Sequence, residues 1–303
     1  MPSLKSDFFF IDSLKKIKKE DWNTCVDNDH PFIQYEFLFA LEKSESACSQ
    51  TGWKPHHYIE CNDKKEIIAI CPLYLKSHSY GEYIFDHAWA DAYHRHGLNY
   101  YPKLQSAIPF TPVTGDRIFI NQTIKNRKDK IKEIINNIIN EAKKLNVSSA
   151  HFNFIKNPNE WSSEEPIMIR EGIQFHWENN NYKSFDEFLS TLSSRKRKQI
   201  KKERQCLKIN NLKVELLSGD DLKKEDLEFF YECYLDTTGR KWGSTYLKKE
   251  FFMNILNNFK NKVLLMIAYQ DDTKVASALN FLSKTHLYGR LWGSKFEVPY
   301  LHF

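Results

Sequence analysis

The densest run of chemically capable side chains lies between Ser193 and Arg204, where Arg195, Lys196, Arg197, Lys198, Lys201, Lys202 and Arg204 are opposed only by Glu203. If Ser193 or Ser194 caps a helix, four of these cations sit in its first turn. The helix macrodipole is already positive there, and each misplaced cation costs roughly a few tenths of a kcal/mol. Cations beside free backbone N–H groups at a helix start suit phosphate or pyrophosphate. A solvated basic face or a nucleic-acid contact fits the same residues. A second cluster, Arg240, Lys241 and Trp242, falls in a glycine-flanked stretch between two amphipathic segments. It reads equally as a holder of an anionic or planar ligand and as an ordinary helix connection.

Asp86, His87, Asp91, His94 and His96 lack the spacing of a helical His pair or a zinc finger, so no metal is expected. They read as polar residues lining a cleft among Trp89, Tyr93, Tyr100 and Tyr101, the two last being candidate acceptor contacts. His176 is the candidate proton acceptor, because an imidazole is poised near neutral pH. Its setting, Gln174 to Trp177, also fits a packed strand histidine. No Walker loop, GxGxxG, GxSxG elbow or HExxH is present. No cysteine or serine lies in a recognisable nucleophile context. A covalent intermediate therefore has no obvious carrier, and chemistry by direct attack is expected.

The elements that must position these residues follow from periodicity. Phe37, Leu38 and Leu41 mark a helix from about Gln34 to Lys43. His57–Cys61 and Glu66–Leu75, split by a polar tetrad, read as a hairpin. Residues Tyr80 to Phe110 are aromatic and show little periodicity. A strand at Arg117–Asn121 precedes a helix striped by Ile131, Ile134, Ile135, Ile138 and Ala142, and Ser149–Ile155 reads as a strand. A second segment opens near Ile173. Ser184 and Glu187 form a capping box, and strand Leu212–Leu217 leads into two helices and three strands, Val263–Tyr269, Val275–Phe281 and His286–Trp292. The fold class is thus α/β (α+β), with mixed, largely antiparallel sheets.

The chain has 303 residues, 41% hydrophobic, with a formal charge of +5. That charge is mild, so its placement says more than its total, and DNA is not an expected partner. Six cysteines without a CxxC pair suit a reducing compartment. No stretch approaches the roughly 20 apolar residues of a membrane span, so the expected location is cytoplasmic.

Several long runs resemble a bacterial family of predicted N-acyltransferases, FemAB-like, labelled as concerned with peptidoglycan biosynthesis or recognition. They include Cys71 to Asp86, Tyr100 to Leu104, Pro109 to Gly115, Gly172 to Trp177, Ser193 to Lys198, Arg240 to Gly243 and Leu287 to Gly293. The resemblance implies two tandem acetyltransferase-like (GNAT) domains, 1–172 and 173–303. It implies transfer of an acyl or aminoacyl group from acyl-CoA or aminoacyl-tRNA, with no tightly bound cofactor, to an amine on a peptidoglycan precursor. It also places Arg195 to Arg204 near the donor or the sugar nucleotide, with tRNA as a partner. The alternative is a non-catalytic module that recognises cell-wall fragments or nucleotide sugars. Residues Leu291 to Pro299 lack the Q/R-x-x-G-x-G/A pyrophosphate loop of acetyl-CoA enzymes. The chain also ends where the family pattern would begin a further helix, so a truncated second domain is expected.

Overall fold

A computed structural model describes residues 6–26, 29–161, 167–240, 245–296 and 301. Its first half is organised by one long, bent hairpin. Strand β1 (Asp7–Ile11) and helices α1 (Lys19–Asn23) and α2 (Tyr35–Lys43) come first. One arm of the hairpin is β2 (Trp53–Pro55) continued by β3 (His57–Cys61). The other is β4 (Ile67–Cys71) continued by β5 (Tyr74–Lys76). Asn62 closes the turn by accepting from the Lys64 and Glu66 amides at 3.0 Å. The arms bend at His56 and Pro72. Proline has no amide to give, yet the His56 N–H still reaches Leu73 O at 2.8 Å and holds the ladder across the bend.

Helix α3 (His87–Arg95), strands β6 (Lys103–Ser106) and β7 (Phe119–Ile120), helix α4 (Arg127–Lys144) and strand β8 (Ala150–Phe152) follow. β6 pairs with β5, and β7 with β4, both antiparallel. The edge of the hairpin is therefore occupied twice by one passage of chain, interrupted at 107–118, which leaves the sheet. α4 then crosses over, and β8 lies parallel to β6, as a helical connection allows. The two resulting sheets, β1-β3-β4-β7 and β2-β5-β6-β8, share the hairpin. The isoleucine stripe of α4 packs on Tyr58, Ala69, Leu73 and Leu104.

Residues 167–183 have no regular secondary structure. They lead to α5 (Phe185–Ser190) and α6 (Ser194–Ile209). Strand β9 (Leu212–Leu217), helices α7 (Lys224–Arg240) and α8 (Lys249–Phe259), and strands β10 (Val263–Gln270), β11 (Thr273–Leu282) and β12 (Leu287–Ser294) complete the second half. Its antiparallel sheet runs β12-β11-β10-β9. The architecture is mixed α/β with several antiparallel sheets.

The periodic elements stand where the sequence puts them: α2, the hairpin, α4, and the series β9 to β12. Three places differ. The aromatic stretch after Tyr80 holds α3 and β6. Gly172–Trp177 forms no strand, and His176 is exposed instead of packed. Helix α7 continues through Asp236 to Arg240, so that part of the expected connection is helical, while Lys241 and Trp242 lie outside the described residues.

One apolar core joins the halves. Phe37, Leu38 and Leu41 of α2 and Phe251, Phe252 and Ile255 of α8 belong to it, all buried. Phe37 meets Phe251 edge to face at 5.6 Å, and Phe32 meets Phe281 at 5.1 Å.

α7 lies against β12 so closely that a Cβ on Gly293 would sit 2.2 Å from the carbonyl oxygen of Cys233. Backbone cannot yield as a side chain can. Gly293→Ala should destabilise the fold by about 1–3 kcal/mol, read as a lowered midpoint in urea unfolding, whereas Gly289→Ala, whose Cβ would meet only ordinary contact at 3.7 Å, should cost much less.

Candidate functional site at the join of the halves

On the face of the second sheet opposite α4, alternate positions are polar. Lys76 from β5, Lys103 and Gln105 from β6, and His151 from β8 lie there, with Lys76, Lys103 and Gln105 fully buried. The segment 77–101, including α3, closes over them and brings in two carboxylates. Lys103 Nζ donates to Asp86 at 2.6 Å, Glu82 at 2.9 Å and Ser79 Oγ at 3.2 Å. Tyr100 donates to Asp86 at 2.7 Å, and Tyr101 shares a 2.6 Å hydrogen bond with Ser79. In the orientation its neighbours require, the Gln105 amide nitrogen donates to both Glu82 oxygens at 2.9 and 2.8 Å. Lys76 stacks over Trp53 with Nζ 3.7 Å from the ring centre.

Two buried cations thus face two buried carboxylates, and desolvation governs how each behaves. Burial pushes the Asp86 carboxyl up, but hydrogen bonds from Lys103, Ser79 and Tyr100 outweigh it and hold it at about 2. Burial raises Glu82 despite Lys103. Burial, with repulsion from Lys103, pulls Lys76 down to about 7 against the attraction of Glu82. Burial and Lys103 likewise lower His151 to about 4, so its imidazole is neutral at physiological pH. His57, also fully buried, is committed elsewhere: Nδ1 accepts from the Leu73 amide at 3.1 Å, leaving Nε2 to donate to Glu42 at 2.9 Å.

This layer sets the chain segment that reaches the second half. Glu82 turns inward to Lys103, and the next residue, Tyr83, has φ 58, a region that bulky side chains rarely adopt. Its phenol lies near Arg290 of β12 and opposes the lowering of that guanidinium's pKa by burial. From the interrupted edge, Phe110, at φ 57, stacks on Tyr246 at 5.0 Å, and Thr111 Oγ1 accepts from Arg290 Nε at 3.3 Å. Arg117, fully buried, braces this excursion by donating to Val113 O at 2.5 Å and Asp116 O at 2.8 Å. Arg290 is half-buried by surface area, yet enough protein surrounds its guanidinium that burial lowers its pKa. Among the described residues no carboxylate pairs with it. Apolar side chains, including Phe37, Pro109, Phe251 and Phe281, pack around it and leave no space for a water molecule between them.

Of the residues singled out in sequence, Tyr100 and Tyr101 enter the buried layer with Asp86, which is therefore paired and desolvated, not solvated. Asp91, His94 and His96 remain on the outer surface of α3. His176 reaches the rim of the join: its Nε2 lies 3.4 Å from Gln174 Oε1, and Gln174 fastens to Pro112 O at 2.8 Å and Thr114 Oγ1 at 2.9 Å. Arg240 pairs with Asp236 and donates to Ser294 O at 3.1 Å. Arg195, Lys196, Lys198, Lys201 and Arg204 are exposed on α6, and Arg197 is partly so. The sequence alone gives no role to Lys76, Glu82, Lys103 and Arg290, which stand only within longer motifs, or to His151. Polar residues alternating with apolar ones along Tyr74–Lys76 and Lys103–Gln105 look like a solvent face. The available signal was the long aromatic segment between those strands, far longer than a hairpin needs and able to cover that face.

The family model described as peptidoglycan biosynthesis/recognition, FemAB-like, matches residues 13–303. No curated protein matches the chain. Among solved structures, that of L-PGS from Bacillus licheniformis aligns with a TM-score of 0.42 and 8% identity, covering 87% of this chain and 66% of that one. The chain therefore spans just under two thirds of the length of that structure.

Two outcomes are expected of the buried layer. Lys103→Met strands two carboxylates and should destabilise by about 3–5 kcal/mol, with Glu82→Gln and Asp86→Asn together restoring part of the loss. For Lys76 the ordinary value is 10.5 and the folded value about 7. Within that window the unfolded chain keeps a proton that the folded chain has released, so its contribution makes stability rise with pH. From pH 7 to 9, below the range where buried thiols and phenols pull the other way, urea unfolding should show this rise, and Lys76→Met should remove it.

Proposed function

The chain belongs to the FemAB-like family of peptidoglycan biosynthesis/recognition, and from that premise we propose that it is a cytoplasmic N-acyltransferase. In this reading it moves an acyl or aminoacyl group from acyl-CoA or aminoacyl-tRNA onto an amine of a peptidoglycan precursor. The observation that carries the proposal is Arg290, a half-buried cation that donates to the Thr111 hydroxyl, lies near the Tyr83 phenol and is paired with no carboxylate among the described residues.

A fixed guanidinium in low-dielectric surroundings stabilises negative charge far better than water-exposed lysine does. Attack of an amine on an activated carbonyl puts such charge on the carbonyl oxygen, and Arg290 would face it. The attacking nitrogen must also lose a proton. His176, on the strap that Gln174 fastens to the Pro112 carbonyl, is the proposed acceptor. Tyr100 and Tyr101, in the buried layer, are the proposed contacts on the acceptor side. The α6 cations Arg195, Lys196, Arg197, Lys198, Lys201 and Arg204 form the surface for anionic ligands, with Arg240 at the end of α7, and Lys241 and Trp242 next to it in sequence, as further candidates. No tightly held cofactor is needed. The finer fold reading belongs to the same proposal: two acetyltransferase-like units, 1–172 and 173–303. The succession of β9, two helices and three antiparallel strands supports it.

Arg290→Gln should lower kcat/KM by about 10²- to 10³-fold while leaving stability unchanged or raised, since an unpaired desolvated charge is removed. Initial rates with donor and amine both varied should give intersecting double-reciprocal lines, with no acylated protein after donor alone. Tight binding of precursor with no mass shift in any acceptor, from either donor pool, would favour the recognition module instead.

A further inference from the structure

Helix α6 packs on the β12-β11-β10-β9 sheet through its Leu207 side. Leu207, with Leu212, packs against Ala268, Val275 and Ala276. At roughly 100° per residue, Arg195, Arg197, Lys198, Lys201, Lys202 and Lys208 fall within an arc of roughly 160° on the side away from Leu207. Of these, only Lys201 has a carboxylate partner among the described residues, Asp186 at 3.6 Å.

The segment that leads to α5 carries large apolar side chains left uncovered among the described residues, and through Trp177 it reaches α5 and α6. Met168 is 80% exposed, Ile173 85%, Phe175 96% and Trp177 62%. Trp177 and Phe185 each meet Phe188 with ring centres 5.7 Å apart. The Arg204 guanidinium lies 4.1 Å over the Phe185 ring. The aromatic cluster and the basic helix are thus one continuous surface. Large apolar side chains exposed together beside unpaired cations mark a docking face.

We infer that α5, α6 and the strap at residues 167–177 seat the protein on an anionic lipid bilayer. No helix among the described residues is long and apolar enough to cross a membrane, so the seating is at the surface. The charge selects phosphate-bearing headgroups. The side-chain mixture then separates a bilayer from RNA. RNA would use the cations and the rings, but Met168 and Ile173 offer no stacking face to a base. A bilayer interface takes all three kinds: indole at headgroup level, aliphatic chains below it, cations on the phosphates. A second copy of the chain would bring the same cations against themselves. The inference rests on the preceding proposal only in taking α6 to face anions. Vesicle binding is read without turnover, so either can fail alone.

The test is flotation of the full chain with vesicles of phosphatidylcholine alone or mixed with phosphatidylglycerol, with and without uncharged tRNA as competitor. Binding is expected to the mixed vesicles, at least tenfold weaker to the neutral ones. Both Ile173→Ser/Phe175→Ser/Trp177→Ser and Arg195→Gln/Lys198→Gln/Lys202→Gln should reduce it at least tenfold with an unchanged melting temperature. Lys132→Gln/Lys143→Gln, on α4, should leave it as it was. Failure to float with mixed vesicles overturns the inference. So does binding that the apolar substitutions leave unchanged. Tight tRNA binding, lost with the α6 substitutions but indifferent to the apolar ones, would assign the surface to RNA.

Discussion

The aromatic contact between α2 and α8 is the constraint on which the rest depends. These helices come from opposite ends of the sequence, and the buried rings of Phe37, Phe251, Phe252 and Phe281 give them one apolar core. Burying such rings on both partners is worth several kcal/mol each by area, and so fixes how β12 meets the first half. Only with that arrangement set does Arg290 come within reach of Thr111 and Tyr83. Lys248, at the start of α8, adds a directional element by donating its amide to Ser46 Oγ, just beyond α2, at 3.0 Å.

The buried polar layer answers a different need. A sheet face lined by Lys76, Lys103 and Gln105 cannot be covered by apolar residues without leaving charges unpaired, a heavy penalty in low dielectric. The covering segment therefore supplies Glu82 and Asp86, and the geometry that satisfies Lys103 dictates where that segment can run. An apolar layer of the same volume would hold the fold at least as well. What the ionic one adds is direction. Glu82 points inward to Lys103, and Tyr83, the next residue, takes a left-handed conformation beside Arg290. Phe110 is in the same kind of conformation at the same join, and strain of this sort persists only where surrounding structure over-determines it.

Legibility in the sequence followed the physics of each element. α4 was readable because five buried apolar residues repeat at helical spacing over solvent-facing lysines. β9 to β12 were readable because alternation and turn chemistry agree. β1 was not, since Phe8 and Phe9 stay largely exposed and a run of aromatics has no inward or outward face until β3 pairs with it. α3 carries no buried residue, so it lacks the stripe that reveals a helix. The site was legible by residue type more than by role. Tyr100, Tyr101 and Asp86 were noticed as polar and aromatic groups of one cleft, but the lysines that organise them sit in strands far apart in sequence. Arg290 was quoted only as part of a motif, because a lone arginine in a strand declares its missing partner only once the packing around it is known.

The double occupancy of the hairpin edge has a consequence for how this architecture can change. β6 and β7 each keep their own register on the β5 and β4 line, so the sheet is closed on both sides of residue 107–118. Length and composition in that excursion are decoupled from strand pairing. Residues can be added or exchanged there without shifting a single inward-facing side chain of the sheet, a freedom that a continuous strand does not have, because one inserted residue reverses every face beyond it. The limits are set by Phe110, which must still reach Tyr246, by Gly115, whose amide donates to Phe154 O at 2.9 Å, and by Arg117, which clamps the carbonyls of Val113 and Asp116. Between those fixed points the arm beside Arg290 can vary while a lineage inherits the scaffold intact.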